Sequence, residues 1–348
     1  MTAHGAHGTA RTGIVDLRSD TVTRPTPQMR RAMASAEVGD DGFGEDPTVR
    51  SLEEVYAARV GKDAALYVPS GTMANQVALR VLGEAGGAVV AGRTQHVVAY
   101  EFGAAARNAA VQFHTVPDDD GIVHPDDIRR AIDLAVYHQP AVCLVCVENT
   151  HMAAGGVPWT LEALGAMRAA AGALPVHMDG ARLFNAAVAT GVDPAAITAH
   201  ATTVMSCLSK GLCAPVGSLL AGPADVIERG RLERKRLGGA MRQAGVIAAA
   251  GLVALTTMVD RLAEDHARAR RLAAAVAERW PAAGVDPDRV QTNLVVFRPP
   301  EPLGVIDFLA RSGVLADMVA PGAVRLVTHF DVDDEGIERT LVAIAKAP

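Results

Sequence analysis

"MSCLSKGLCAPVGS" (residues 205–218) holds one charged side chain, Lys210, among uncharged neighbours, at the end of an apolar run and directly before a glycine. An ammonium group flanked by small residues can lose solvation and act as an amine nucleophile toward an aldehyde. The same placement also suits a lysine that snorkels out of a strand end. Which reading holds depends on what else the fold brings beside it.

Short apolar runs bounded by Gly, Pro and Asp recur on both sides of this stretch: "AALYVP" (64–69), "GAVVAGR" (87–93), "VQFHTVP" (111–117), "AVCLVCVEN" (141–149), "PVHMDGA" (175–181), "TTVMSCLSK" (202–210) and "GSLLAGP" (217–223). Between them lie segments with apolar residues three and four apart, such as "GTMANQVALRVLGEAG", "HPDDIRRAIDLAVY" and "TLEALGAMRAAAGA". Seven strands alternating with helices predict an α/β fold with a mainly parallel sheet covered on both faces. After the long Ala-rich helical region of residues 241–280 the pattern changes to "TNLVVFRPP", "LGVIDFLARSG" and "AVRLVTHFD", which predicts a smaller α/β domain. The expected organisation is a flexible leader over 1–13, a large domain over 14–250 and a small C-terminal domain over 251–348.

Composition narrows the function classes. The 348 residues are 49% hydrophobic and 21% charged with a net charge of −6, so the basic footprint of a nucleic-acid binder is absent. No run of eighteen apolar residues occurs and the first residues lack a signal-peptide core, which predicts a cytoplasmic chain without a membrane partner. The four cysteines, Cys143, Cys146, Cys207 and Cys213, sit in apolar or small-residue surroundings and read as reduced core thiols. Cys143 and Cys146 form a CxxC on a strand, where positions three apart face opposite sides, so no metal site is expected. The acidic stretch "PDDDGIVHPDD" reads as a solvated turn and a helix N-terminus.

In an open α/β sheet, ligands sit beyond the carboxyl ends of the strands. The polar residues that end the seven runs are Ser70, Gly71 and Thr72; His96; Glu148 and His151; Asp179 and Arg182; and Lys210. Asp179 ends one apolar run and Lys210 follows 31 positions later, at the end of the next. A carboxylate there needs a cation or a donor, and a protonated pyridine nitrogen would serve. An Asp for a pyridinium and a Lys for a Schiff base are together what pyridoxal phosphate requires. Asp179 alone could equally cap the following helix. Ser70, Gly71 and Thr72, between a strand and a helix, could approach a phosphate or make an ordinary capped turn. His96 could lie over a flat cofactor or fill space.

The segments "DLRSDTVTRPT" (16–26), "VGDDGFGEDPTV" (38–49), "PSGTMANQVAL" (69–79), "VENTH" (147–151), "HMDGARLFNA" (177–186), "CLSKGL" (207–212), "PVGSLL" (215–220), "GGAMRQAG" (238–245) and "VRLVTH" (324–329) together resemble the low-specificity L-threonine aldolase family. The resemblance runs in order from about Asp16 to His329. It implies fold type I of the pyridoxal phosphate enzymes, with a seven-stranded sheet in the large domain. It further implies that Lys210 is the Schiff-base lysine, that Asp179 meets the pyridine nitrogen, that Gly71 and Thr72 contact the phosphate, and that His96 stacks on the ring. Ser19, Arg182 and Arg325 match residues that hold the substrate carboxylate. Lys235 and Arg242 match basic residues that approach the cofactor of a neighbouring subunit, so a homodimer or homotetramer with shared active sites is implied. Taken alone, Arg325 could be an exposed strand arginine and Ser19 a turn former.

Two departures stand out. Phe43 occupies a position where many relatives carry Tyr, and its ring is expected to anchor a polar turn. The stretch "VVAYEFG" after His96 differs from the commoner form and leaves the place of Glu101 open.

The activity implied is retro-aldol cleavage of L-threonine, L-allo-threonine and related β-hydroxy-α-amino acids to glycine and an aldehyde, through an external aldimine with pyridoxal 5′-phosphate. His96 and His151 are the candidates for handling the hydroxyl proton, because histidine titrates nearest neutral pH. The rival enzyme readings are a β-eliminating lyase, which would release an oxo acid and ammonia, and a transaldolase acting on β-hydroxy amino acids. From other classes, a non-catalytic ligand-binding protein would lack a use for Lys210 and Asp179, and a dinucleotide binder is excluded because "GFGEDP" lacks the third glycine of its fingerprint.

Overall fold

The computed structural model describes residues 13–134 and 138–348. The expected leader therefore lies, except for Gly13, outside the described residues, as do positions 135–137 at the end of one expected helix. The described strands are β1 (Val15–Asp16), β2 (Ala64–Val68), β3 (Ala88–Gly92), β4 (Gln112–Val116), β5 (Val142–Glu148), β6 (Val176–Asp179), β7 (Thr203–Cys207), β8 (Ser218–Gly222), β9 (Leu294–Phe297), β10 (Val314–Leu315), β11 (Asp317–Ala320) and β12 (Ala323–Val327).

The seven apolar runs become β2 to β8, joined in one sheet of order β2-β8-β7-β6-β5-β3-β4. Strand β8 is antiparallel to both neighbours and every other pairing is parallel. The runs are apolar without alternation because both faces are covered. On β2, Leu66 and Val68 pack with Ala74 and Val77 of the helix Gly71–Leu82, whereas Ala65 and Tyr67 join the main core with Leu52 and Tyr56 of the helix Pro47–Arg59.

This topology sets where chemistry can happen. Strands β2, β3, β5, β6 and β7 all end at one edge of the sheet, and β8 begins there, with Ser218 paired to both Val68 and Cys207. With β4, parallel to β3, ending there too and the β7–β8 connection counted once, six loops converge on one side of the sheet.

The Ala-rich region is helical, as two helices, Gly245–Thr257 and Leu262–Arg279, bent by 72°. Its apolar residues belong to two cores. Met258, Val259 and Leu262 complete the core of the large sheet, while Ala269, Leu272 and Val276 pack against β9 and β12. A straight helix could not reach both. Among the described residues no single helix is long and apolar enough to cross a membrane.

The second core surrounds a three-stranded antiparallel sheet of order β11-β12-β9. The chain start belongs to it, since β1 pairs with β10 and Val15 and Leu17 are buried there. Position 250 falls within the helix Gly245–Thr257, which packs on the large core.

Candidate active site

At the edge where the loops converge lies a cleft of about 250 Å³, lined by Ser70, Gly71, Thr72, His96, Asp179, Arg182 and Lys210, together with Asn75, Glu148, Met152 and Ser209. The N-terminus of the helix Gly71–Leu82 opens onto it, with the Ser70 hydroxyl accepting from the Met73 amide at 3.2 Å. Gly71 is required by close approach. A Cβ there would stand 2.8 Å from Cys207 Sγ, so a larger residue would push the helix end off β7.

Asp179 is buried, and its carboxylate accepts from Asn75 Nδ2 at 2.7 Å and from the Ala181 amide at 3.0 Å. Burial works to raise its pKa, but the charges of His96 and Lys210 and the bond from Asn75 prevail and hold it below the ordinary carboxylate range. Asp179 is therefore an anion at neutral pH.

His96 Nδ1 lies 3.1 Å from Glu101 Oε1, and Tyr100 stacks on its ring at 5.7 Å. Burial opposes the imidazolium, while the Glu101 bond and the Asp179 charge outweigh it and raise the His96 pKa. Glu101, whose place the sequence left open, is buried, and also accepts from Asn75 Nδ2 at 2.8 Å and Gln76 Nε2 at 2.7 Å.

The three residues expected at a substrate carboxylate sit differently. Arg182 lines the cleft, but its Nε and Nη2 donate to both oxygens of buried Asp20 at 2.7 and 2.6 Å. Arg325 on β12 is outside the cleft lining and donates from Nη2 to the Arg18 carbonyl at 2.9 Å, while its buried Nε has no partner. Burial and the nearby Arg182 charge lower the Arg325 pKa. The Ser19 hydroxyl accepts from the Thr21 amide at 3.2 Å and caps a short turn, as the turn-former reading expected.

Other candidates lie off the cleft. His151 is fully buried behind it, with Nε2 against Asp118 at 2.9 Å and Nδ1 accepting from the Ala154 amide at 3.2 Å. Asp118 belongs to the acidic stretch expected to be solvated, yet it is buried, accepting also from the Thr94 amide and hydroxyl. It lies two positions after β4, and Gly92 at the end of neighbouring β3 leaves room for its carboxylate.

Lys235 is exposed on the helix Ala224–Arg236, and exposed Arg242 lies 3.4 Å from Asp40. Phe43 does not anchor its turn. Asp40 and Asp41 pair with Arg242 and Arg234 and turn the Phe43 ring outward to 79% exposure, where it lines a separate hollow with Leu232 and Lys235. All four cysteines are buried and unpaired.

Residues 16–299 match the family described as Beta-eliminating lyase. The low specificity L-threonine aldolase of Escherichia coli K12 is 42% identical over 328 residues, covering 92% of this chain and 96% of that protein. The chain is a member of the low-specificity L-threonine aldolase family. Among solved structures, the threonine aldolase of Leishmania major has a TM-score of 0.81 at 19% identity, covering 95% of this chain and 98% of that one. A structure of SPT with PLP has a TM-score of 0.73 at 17% identity, covering 95% and 86%. These two likenesses speak to the fold.

In this aldolase-family chain, reading the sequence passed over Asp20, Asn75 and His177. Each is buried and polar. Two left a signal. Asn75 interrupts the apolar face of its helix one turn after Gly71, and His177 lies two positions before Asp179, on the same face of β6. Asp20 left none, because its partner is 162 positions away.

Proposed function

We propose that this chain cleaves L-threonine, L-allo-threonine and related β-hydroxy-α-amino acids to glycine and an aldehyde by a retro-aldol reaction that depends on pyridoxal 5′-phosphate. One observation carries the reading: Lys210 and an ionised, buried Asp179 line one cleft with the N-terminal turn of the helix Gly71–Leu82. Pyridoxal phosphate, when bound, supplies the electron sink for the pair left by breaking the Cα–Cβ bond.

The donor set suits that cofactor. Lys210 would tie down its aldehyde carbon, Asp179 would keep its ring nitrogen protonated, and the Gly71 and Thr72 amides would face its phosphate at a positive helix end. His96 would cover the ring. For the substrate carboxylate, Arg325 has an unpartnered Nε, and Asp20 leaves Nη1 of Arg182 unused. Ser19 borders the same segment.

His96 is the group assigned to the β-hydroxyl proton. With Nδ1 donating to Glu101, Nε2 is the nitrogen left to take it. Both ring nitrogens of His151 are engaged, so we give that residue a supporting part beside Glu148, whose own pKa burial raises. A base that meets only the hydroxyl leaves the rest of the substrate side chain unread, which makes specificity loose.

On this reading the cofactor-binding part spans 14–250 and a smaller part spans 251–348, with the segment after Gly13 lent to the second. The active form is a homodimer or homotetramer with shared sites. Exposed Phe43 and Leu232 beside Lys235 offer a face that a second copy would cover, bringing Lys235 and Arg242 toward its cofactor. Its four unpaired buried thiols accord with a cytoplasmic setting.

Incubation with L-threonine should release glycine and acetaldehyde in equal amounts; an oxo acid and ammonia instead would identify a β-eliminating enzyme. Asp179→Ala should lower kcat/KM about a hundredfold or more, because the ring nitrogen loses its buried anion. Near-normal kinetics in that variant would remove Asp179 from the cofactor site.

A further inference from the structure

Two buried carboxylates, Asp179 and Glu101, meet on one side chain. The single amide nitrogen of Asn75 donates one hydrogen to Asp179 Oδ2 at 2.7 Å and the other to Glu101 Oε1 at 2.8 Å. Polar atoms of His96, Glu101 and Asp179 all lie within 4.8 Å of one another. Two carboxylates this close and this buried normally share a proton.

What orients the amide lies behind it. Asn75 Oδ1 is 2.9 Å from His177 Nε2, and His177 Nδ1 is 2.9 Å from the Thr203 hydroxyl. Burial pushes the His177 pKa down to about 4, so the ring is neutral with one proton. If that proton sits on Nε2, every bond runs one way: Thr203 hydroxyl to His177, His177 to Asn75, Asn75 to both carboxylates. The reverse arrangement would point the Asn75 carbonyl at two anions. Gln76 Nε2 and the Ala181 amide then satisfy the outer oxygens of Glu101 and Asp179. Facing the pair are the charges of His96 and Lys210, the Glu148 carboxyl and the Cys146 thiol.

We propose that Asn75, oriented by His177, is a positioning residue that keeps Asp179 ionised beside the Glu101 carboxyl, aiming one into the cleft and the other at His96 Nδ1. The aim of Asp179 at a ring nitrogen rests on the cofactor reading above; the clamp itself does not. Without the shared donor one carboxyl takes a proton, and either the cleft loses its anion or His96 loses the acceptor that leaves Nε2 free.

The test is an infrared difference spectrum of the full-length protein as purified, at neutral pH, with aspartate and glutamate isotopically labelled. Asn75→Leu minus parent should show a new protonated-carboxyl band, and adding Glu101→Gln should remove it. The dissociation constant for pyridoxal phosphate should rise about tenfold or more in Asn75→Leu, as a buried acceptor is left unpaired. No new band together with an unchanged dissociation constant overturns the proposal. If the parent binds no pyridoxal phosphate but the band appears, the clamp stands and the cofactor reading fails. Should Asn75→Leu not fold, His177→Leu replaces it and should gain the band, while His177→Gln, which keeps a donor near Nε2, should not; a band in neither overturns the proposal.

Discussion

Lys210→Ala should lower turnover of L-threonine by at least about three orders of magnitude, the scale of loss when a covalent catalyst's nucleophile is removed. The chain has four lysines, Lys62, Lys210, Lys235 and Lys346, and only Lys210 lines the cleft. The ammonium of Lys62 is spent on the carbonyls of Thr198 and Ala201, so it cannot stand in. The loop that carries Lys210 is held through its backbone: the Lys210 carbonyl accepts from the Thr23 hydroxyl at 2.8 Å and the Cys213 amide at 2.9 Å. Truncating the side chain leaves those bonds, so the thermal midpoint should stay near that of the parent while activity disappears. Borohydride treatment of the parent with pyridoxal phosphate should label Lys210, read by peptide mass. A label on another lysine, or a variant that keeps its turnover, would refute the assignment.

Asp20→Ala should destabilise the fold by about 3–5 kcal/mol, the usual cost of leaving one member of a buried ion pair alone. Arg182 and Asp20 are both buried and doubly bonded, and Asn293 Nδ2 adds a third contact to Asp20 at 3.2 Å. The loss would register as a lower urea midpoint with an unchanged slope. Burial alone would raise the Asp20 pKa, but the charge and hydrogen bonds of Arg182 dominate, with help from Lys210, and depress it far below the carboxylate range. The stability from this pair is therefore complete above the unfolded aspartate value of about 4 and is lost as pH falls from there toward the folded value. Asp20→Ala should flatten that acid limb. An unfolding free energy within about 0.5 kcal/mol of the parent at neutral pH would show that water reaches Arg182 and that the pair is not structural.

Much of this architecture was legible without coordinates because buried parallel strands leave an unbroken apolar signature. All seven runs became strands of the large sheet, and the residues that end them, Gly71, Thr72, His96, Asp179, Arg182 and Lys210, line one cleft. That follows from period and topology: once strands run parallel, their carboxyl ends share an edge.

The failures share another cause. Asp118 reads as part of a solvated stretch and Phe43 as a ring that anchors its turn. In both cases the outcome turned on neighbours distant in the chain: Thr94 and His151 for Asp118, Arg234 and Arg242 for the Phe43 turn.

The sequence by itself thus determined the layer order, the edge where the cleft opens, and which lysine and aspartate stand there, since each is written in local pattern and spacing. Only the tertiary structure decided how the groups of that edge are held and aimed. That Arg182 is held by Asp20, that Glu101 sets the free nitrogen of His96, and that Asn75 joins two carboxylates all depend on hydrogen bonds between segments far apart in the chain. A hydrogen bond selects its partner over a few tenths of an ångström, a distance that no periodicity encodes.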